Sequence, residues 1–134
     1  MLKIFFLIIV VIVFNACQQC EPTTEPNIIV SFSWPKSYTS FKTLNDTTFH
    51  TFKNNILPLA INQDTTRLIL KDSTNQDTLI ISYRRTFNYE KSNCGYEIRL
   101  NDFKLVPTKS FKSGVFSLNN NSKISANYAL NLDN

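Results

Sequence analysis

Arg67-Leu-Ile-Leu-Lys-Asp-Ser-Thr-Asn-Gln-Asp-Thr-Leu-Ile-Ile-Ser-Tyr-Arg-Arg-Thr-Phe87 is the stretch that decides the fold of this chain. Leu68 to Leu70 lie between charged ends, Asp72 to Asp77 are all turn formers, and Thr78 to Phe87 resumes a β-branched and aromatic run. Two apolar runs of strand length separated by a polar turn read as a β-hairpin, here with a six-residue connection from Asp72 to Asp77. Neither arm has the three-to-four spacing with which a helix buries one stripe.

The same period of two extends in both directions. Toward the N-terminus, Val30, Phe32 and Trp34 share one face opposite Ser31 and Ser33, and the run stops at Pro35. Thr48 to Phe52 is a shorter strand candidate, and Pro58 inside Ile56-Leu-Pro-Leu-Ala-Ile61 confines that segment to an edge or a bulge. Toward the C-terminus, Tyr96, Ile98 and Leu100 oppose Glu97 and Arg99, Asn101-Asp102 break or bulge the strand, and Phe103 to Val106 resume it. Ser113-Gly114 separates Phe111 from Val115-Phe-Ser-Leu118, and Ile124, Tyr128, Leu130 and Leu132 close the chain at even positions. The expectation is an all-β domain over residues 27–134, a single antiparallel β-sandwich or partly open barrel of about seven or eight short strands. With only two glycines in the chain, Asn is expected to take the left-handed turn positions.

Residues 1–16 have a different character. Lys3 precedes an apolar run from Ile4 to Phe14, followed by Asn15, Ala16 and Cys17, the order of a secretory signal peptide ending at a cysteine suited to lipid attachment. The run is about half the roughly 20 residues that a membrane-spanning helix requires, so it reads as a removable leader. Ala16 fits a lipoprotein cleavage site, whereas Phe14 and Asn15 depart from its commonest form. Residues 17–26, with Pro22 and Pro26 among polar neighbours, read as a lipidated cysteine and tether. The expected address is the cell envelope, with the membrane as partner through Cys17. Gln18 in place of an Asp favours the outer membrane, its periplasmic or surface face left open.

Cysteine parity points the same way. If Cys17 carries lipid, Cys20 and Cys94 remain as a pair in an oxidising compartment, where a disulfide is the natural outcome. Such a bridge closes a loop of about 75 residues, worth roughly 4 kcal/mol on the chain-entropy scale. The Cys17-x-x-Cys20 spacing lacks the strand and helix context of a redox motif.

Charge excludes one class of partner. The chain carries 14 Lys and Arg against 10 Asp and Glu, for a net charge of +4, and Lys3 belongs to the leader. Arg84-Arg85 is the only adjacent basic pair, so the sequence has no basic run to track a nucleic acid backbone; the small excess favours at most a weak approach to an anionic membrane surface, for which the sequence shows no clustering.

Catalytic chemistry finds little material. His50 is the only histidine and sits between aromatic positions on an expected strand, without the further ligands a metal needs. Asp46, Asp64, Asp72, Asp77 and Asp102 all fall in expected turns, where local hydrogen bonds account for them. Ser113-Gly114 lacks the flanks of a nucleophile elbow, and no glycine-rich phosphate loop is present. The expectation is a protein without catalytic residues, cofactor or metal. Most of the 11 Phe, 5 Tyr and single Trp lie on alternating faces and read as core. A glycan, peptide or small molecule would instead use exposed aromatics, and Trp34, Tyr38, Tyr83, Tyr89 and Tyr96, with Arg84 and Arg85, are the candidates for such a platform.

Cys20 after a lipobox-like start, Ile56-Leu-Pro-Leu59, Thr65-Thr66-Arg67, Asp77-Thr-Leu-Ile-Ile-Ser-Tyr83 and Cys94-Gly-Tyr96 occur in an order that resembles a lipoprotein family of Bacteroidetes-type bacteria, catalogued as a domain of unknown function. The resemblance covers nearly all of the chain after the leader. It implies an envelope β-domain and assigns no activity, ligand or catalytic residue. The resulting expectation is a lipid-anchored, non-catalytic protein acting through an envelope protein partner or as structural support, with a glycan-, peptide- or small-molecule-binding module as the alternative.

Overall fold

The computed structural model describes residues 26–35, 37–89, 96–119 and 126–133, excluding the side chains of Tyr89, Tyr96 and Glu97. Among the described residues there are nine strands and no helix: β1 (Asn27–Phe32), β2 (Ser40–Thr43), β3 (His50–Thr51), β4 (Ile56–Pro58), β5 (Thr65–Lys71), β6 (Gln76–Tyr89), β7 (Tyr96–Val106), β8 (Ser113–Leu118) and β9 (Tyr128–Asp133). The chain divides into two compact units. The smaller, residues 1–24 and 87–99, includes the distal ends of β6 and β7, and the larger, 25–86 and 100–134, holds everything described below.

The strands form two sheets, one ordered β4-β1-β9-β8 and the other β3-β2-β5-β6-β7. The all-β sandwich expected from the period of two is therefore present, with one pairing that the hairpin signals did not announce. β1 and β9 run parallel, from Ile28 opposite Tyr128 to Phe32 opposite Leu132. A parallel pair needs a long connection, and here the whole intervening domain supplies it.

The alternation of β5 and β6 fills the interior. Leu68, Leu70, Leu79 and Ile81 are fully buried, facing Ile28, Val30, Leu57, Leu130 and Leu132 of the four-stranded sheet, while Arg67, Lys71, Thr78 and Arg84 point outward. The connection of this hairpin is Asp72 to Asn75, four residues rather than six. Gln76 and Asp77 continue the ladder opposite Lys71 and Leu70. The Asp72 carboxylate organises the turn by accepting from the Thr74 and Asn75 amides at 2.7 and 2.6 Å.

Asn and Asp take the left-handed positions. Asn54 and Asn55 have φ of 54° and 57°, and the Ile56 amide donates to the Lys53 carbonyl at 3.1 Å, as in a type I′ turn. This turn carries the chain from one sheet to the other: the Phe52 amide still donates to Thr39, and the Asn55 carbonyl already accepts from Val30. Asp102, at φ 53°, is the bulge expected in β7. It shifts the inward phase by one, from Leu100 to Phe103 and Leu105. Pro58 lies on an edge strand, as its missing amide requires.

Gly114 departs from its reading as a separator, because it lies within β8. A Cβ there would stand 2.9 Å from Leu130 Cδ1, 3.1 Å from the Asn131 carbonyl oxygen and 3.2 Å from Leu132 Cδ2. Both leucines are fully buried and have little room to yield. Gly114→Ala is expected to cost about 1–3 kcal/mol in urea denaturation through overpacking, with the loss concentrated in β8 by hydrogen exchange.

Candidate functional site

Tyr38 and Tyr83 are buried phenols, so neither offers a ring to a ligand. Tyr83 joins a closed ring of hydrogen bonds. The Ala60 amide donates to Thr66 Oγ1 at 2.8 Å, and the Tyr83 hydroxyl donates to the Ala60 carbonyl at 2.5 Å. With its proton committed there, the Tyr83 oxygen accepts from the Thr66 hydroxyl at 2.6 Å. The ring fastens the segment after β4 to β5 and β6, joining the two sheets. Burial raises the Tyr83 phenol above its ordinary range, partly opposed by Thr66 and Arg85.

Tyr38 donates to the Asp77 carboxylate at 2.6 Å, and the Ser110 hydroxyl donates to the other oxygen. Asp77 is therefore not a local turn acid. It lies on β6 and ties the segment before β2 to the connection between β7 and β8. Burial, then the Asp77 hydrogen bond and charge, pushes the Tyr38 phenol far above its ordinary range.

Arg84 and Arg85 do not form one recognition element, because successive strand residues face opposite sides. Arg84 lies 3.4 Å from Asp102 on the outer surface, whereas Arg85 reaches Asp64 at 2.6 Å and the Ile61 carbonyl at 3.3 Å. Trp34 is the candidate aromatic that stays half-exposed. It packs edge-on against Phe32 with centroids 5.6 Å apart and lines a shallow hollow of about 500 Å³ with Ser31, Pro35 and Asn55. The side chains of Tyr89 and Tyr96 lie outside the described residues, as do Cys17, Cys20 and Cys94 with the leader, lipid attachment and disulfide assigned to them.

A larger cleft, about 900 Å³, opens between the β2–β3 connection and the segment from Pro58 to Thr66. His50 and Asp46 stand on its rim 3.7 Å apart, both partly exposed. Hydrogen bonds from Thr43 hold the Asp46 carboxyl below its usual range. Among the described residues no group of three His, Cys, Asp or Glu is arranged to hold a metal ion.

The sheet edges differ in a way that the sequence did not reveal. Exposed edges recruit foreign strands unless they are short, charged, bulged or broken by proline. β3 is two residues long, β4 contains Pro58, and β7 carries the Asp102 bulge and the outward Lys104. β8, Ser-Gly-Val-Phe-Ser-Leu, has none of these guards. It pairs with β9 on one side and, among the described residues, with no strand on the other. Val115 and Leu118 are 62% and 71% exposed along it. No family model, curated protein or solved structure matches the chain.

Proposed function

We propose that this chain is a lipid-anchored envelope protein, held at the membrane through Cys17, whose β-sandwich binds an extended segment of a protein partner along β8. The unguarded edge carries this reading. Its outward amides and carbonyls supply main-chain hydrogen bonds for strand addition, and Val115 and Leu118 supply apolar contacts. No catalytic role is assigned. The leader, the cysteine parity and the resemblance to a lipoprotein family support the address.

Val115→Lys tests the interaction without disturbing the core, since the side chain is exposed and such surface changes are usually within about 0.5 kcal/mol. Cross-linking in the native envelope is expected to capture one reproducible protein neighbour with the wild type and to lose it with this variant. Equal capture, or no neighbour in either, contradicts the reading. Intact-mass analysis of the membrane-extracted chain is expected to show acylated Cys17 and no free thiol.

The 900 Å³ cleft favours a second reading, a module for a small polar ligand. Ligand binding weakened by His50→Ala but unchanged by Val115→Lys would support it.

A further inference from the structure

We infer that the outer face of the five-stranded sheet docks on an anionic lipid surface, an inference that rests on the lipid anchor at Cys17 proposed above. In sequence the basic residues are scattered. The fold gathers Lys42 of β2, Arg67 and Lys71 of β5, Arg84 of β6 and Lys104 of β7 on one side of one sheet.

The burial pattern and strand register make this assignment. Buried residues alternate along β5 and β6, so Arg67, Lys71 and Arg84 face away from the core. Lys42 stands opposite Ile69, whose side chain shares that outer face. Lys104 lies between the inward Phe103 and Leu105, and its carbonyl accepts from Ser82.

The charge of this face is only partly compensated. Among the described residues Asp102 stands 3.4 Å from Arg84, and Asp46, on the β2–β3 connection, is near enough to Lys42 for their charges to interact, which leaves the five cations in excess. The ammonium groups of Lys42 and Lys71 both lean on the Phe49 ring, 5.1 and 5.3 Å from its centroid. A ring quadrupole attracts these cations but does not neutralise them. Ile69 and Ile80 lie half-buried among them, giving a basic face with apolar patches.

Two observations choose a membrane as the occupant. The face is built on adjacent strands of one sheet and presents its cations broadside, which suits a planar array of headgroups. Ten residues separate Cys17 from Asn27, an upper bound of roughly 30 Å at about 3.1 Å per extended residue that a Cys20–Cys94 bridge shortens further. An anchored domain therefore meets the lipid surface at high effective concentration, and weak attraction per cation suffices.

Lysine acetylation read by mass spectrometry tests this on the full chain, extracted with its modification and placed in vesicles of phosphatidylcholine alone or mixed with phosphatidylglycerol. In the anionic vesicles, Lys42, Lys71 and Lys104 are expected to react about threefold slower or more, as two-thirds occupancy of a docked state gives. Lys53, Lys109 and Lys112, exposed on connections outside the strands of this sheet, serve as references and are expected to slow no more than the vesicle surface slows every lysine. High salt is expected to abolish the difference.

Uniform rates across the six lysines overturn the proposal. Protection by soluble heparin in detergent, without protection by anionic vesicles, also overturns it and assigns the face to a polyanion. Intact mass of the same sample separates this outcome from the anchor. Acylated chain without the lysine pattern removes the docking face alone, whereas unacylated chain that shows the pattern when mixed with anionic vesicles removes the anchor and keeps the face.

Discussion

Phe111→Ala is expected to lower the stability of the domain by about 3–5 kcal/mol, the usual cost of deleting a fully buried aromatic ring. Phe111 lies in the connection between β7 and β8, yet it is fully buried. Its ring centroid stands 6.5 Å from Phe32, 6.3 Å from Trp34 and 6.2 Å from Tyr38. The connection is closed locally, with the Thr108 amide donating to the Phe111 carbonyl at 2.8 Å and the Phe111 amide donating to Thr108 Oγ1 at 3.2 Å. The loop is thus a plug carried on a short turn, and its loss leaves a cavity that the surrounding rings cannot close. Against a typical total of about 5–15 kcal/mol, the variant is at the margin of folding. Urea denaturation followed by the fluorescence of Trp34 measures the loss. A change under about 1 kcal/mol would mean that the ring is not part of the core.

Alkali is expected to destabilise the fold steeply once the pH passes about 10. The phenols of Tyr38 and Tyr83 are raised in the folded chain, chiefly by burial. Below the ordinary phenol value of about 10 both states are protonated, and the full stability is present. Above it the unfolded chain releases protons that the folded chain retains. Stability then falls by about 1.4 kcal/mol per pH unit for each phenol, until the folded groups ionise in turn. Where both folded phenols stay protonated the two slopes add, above a background from other groups. Tyr38→Phe is expected to remove about 1 kcal/mol of the stability lost between about pH 10 and pH 11, although it also loses the bond to Asp77. An unchanged slope would contradict the buried state of Tyr38.

The architecture was legible where one physical rule acts alone. Period-two alternation gave β1, β5, β6 and the bulge at Asp102, and the edge position of Pro58 followed from its missing amide. The parallel pair of β1 and β9 was not legible, because it joins residues about a chain length apart and leaves no turn signature. The extra ladder positions Gln76 and Asp77 were hidden by polar composition. Asp77 reads as a turn acid in sequence, and only the fold brings Tyr38 and Ser110 to it.

The candidate sites were less accessible. Tyr38 and Tyr83 share alternation with core residues, and sequence does not separate a buried phenol from a binding platform. The absence of charge in Ser113 to Leu118 is visible, but its meaning depends on β8 being an edge. The basic face depends on register in the same way, since Lys42 and Lys71 meet only through the pairing of β2 with β5.

The claim that β8 receives a strand from a protein partner is tested most directly by amide hydrogen exchange across Ser113 to Leu118, compared between the chain in its native envelope fraction and the purified chain. Strand addition requires that alternate amides of β8, those pointing away from β9, exchange markedly slower in the envelope, and that Val115→Lys remove the difference. Equal exchange of those amides in the two preparations would contradict it.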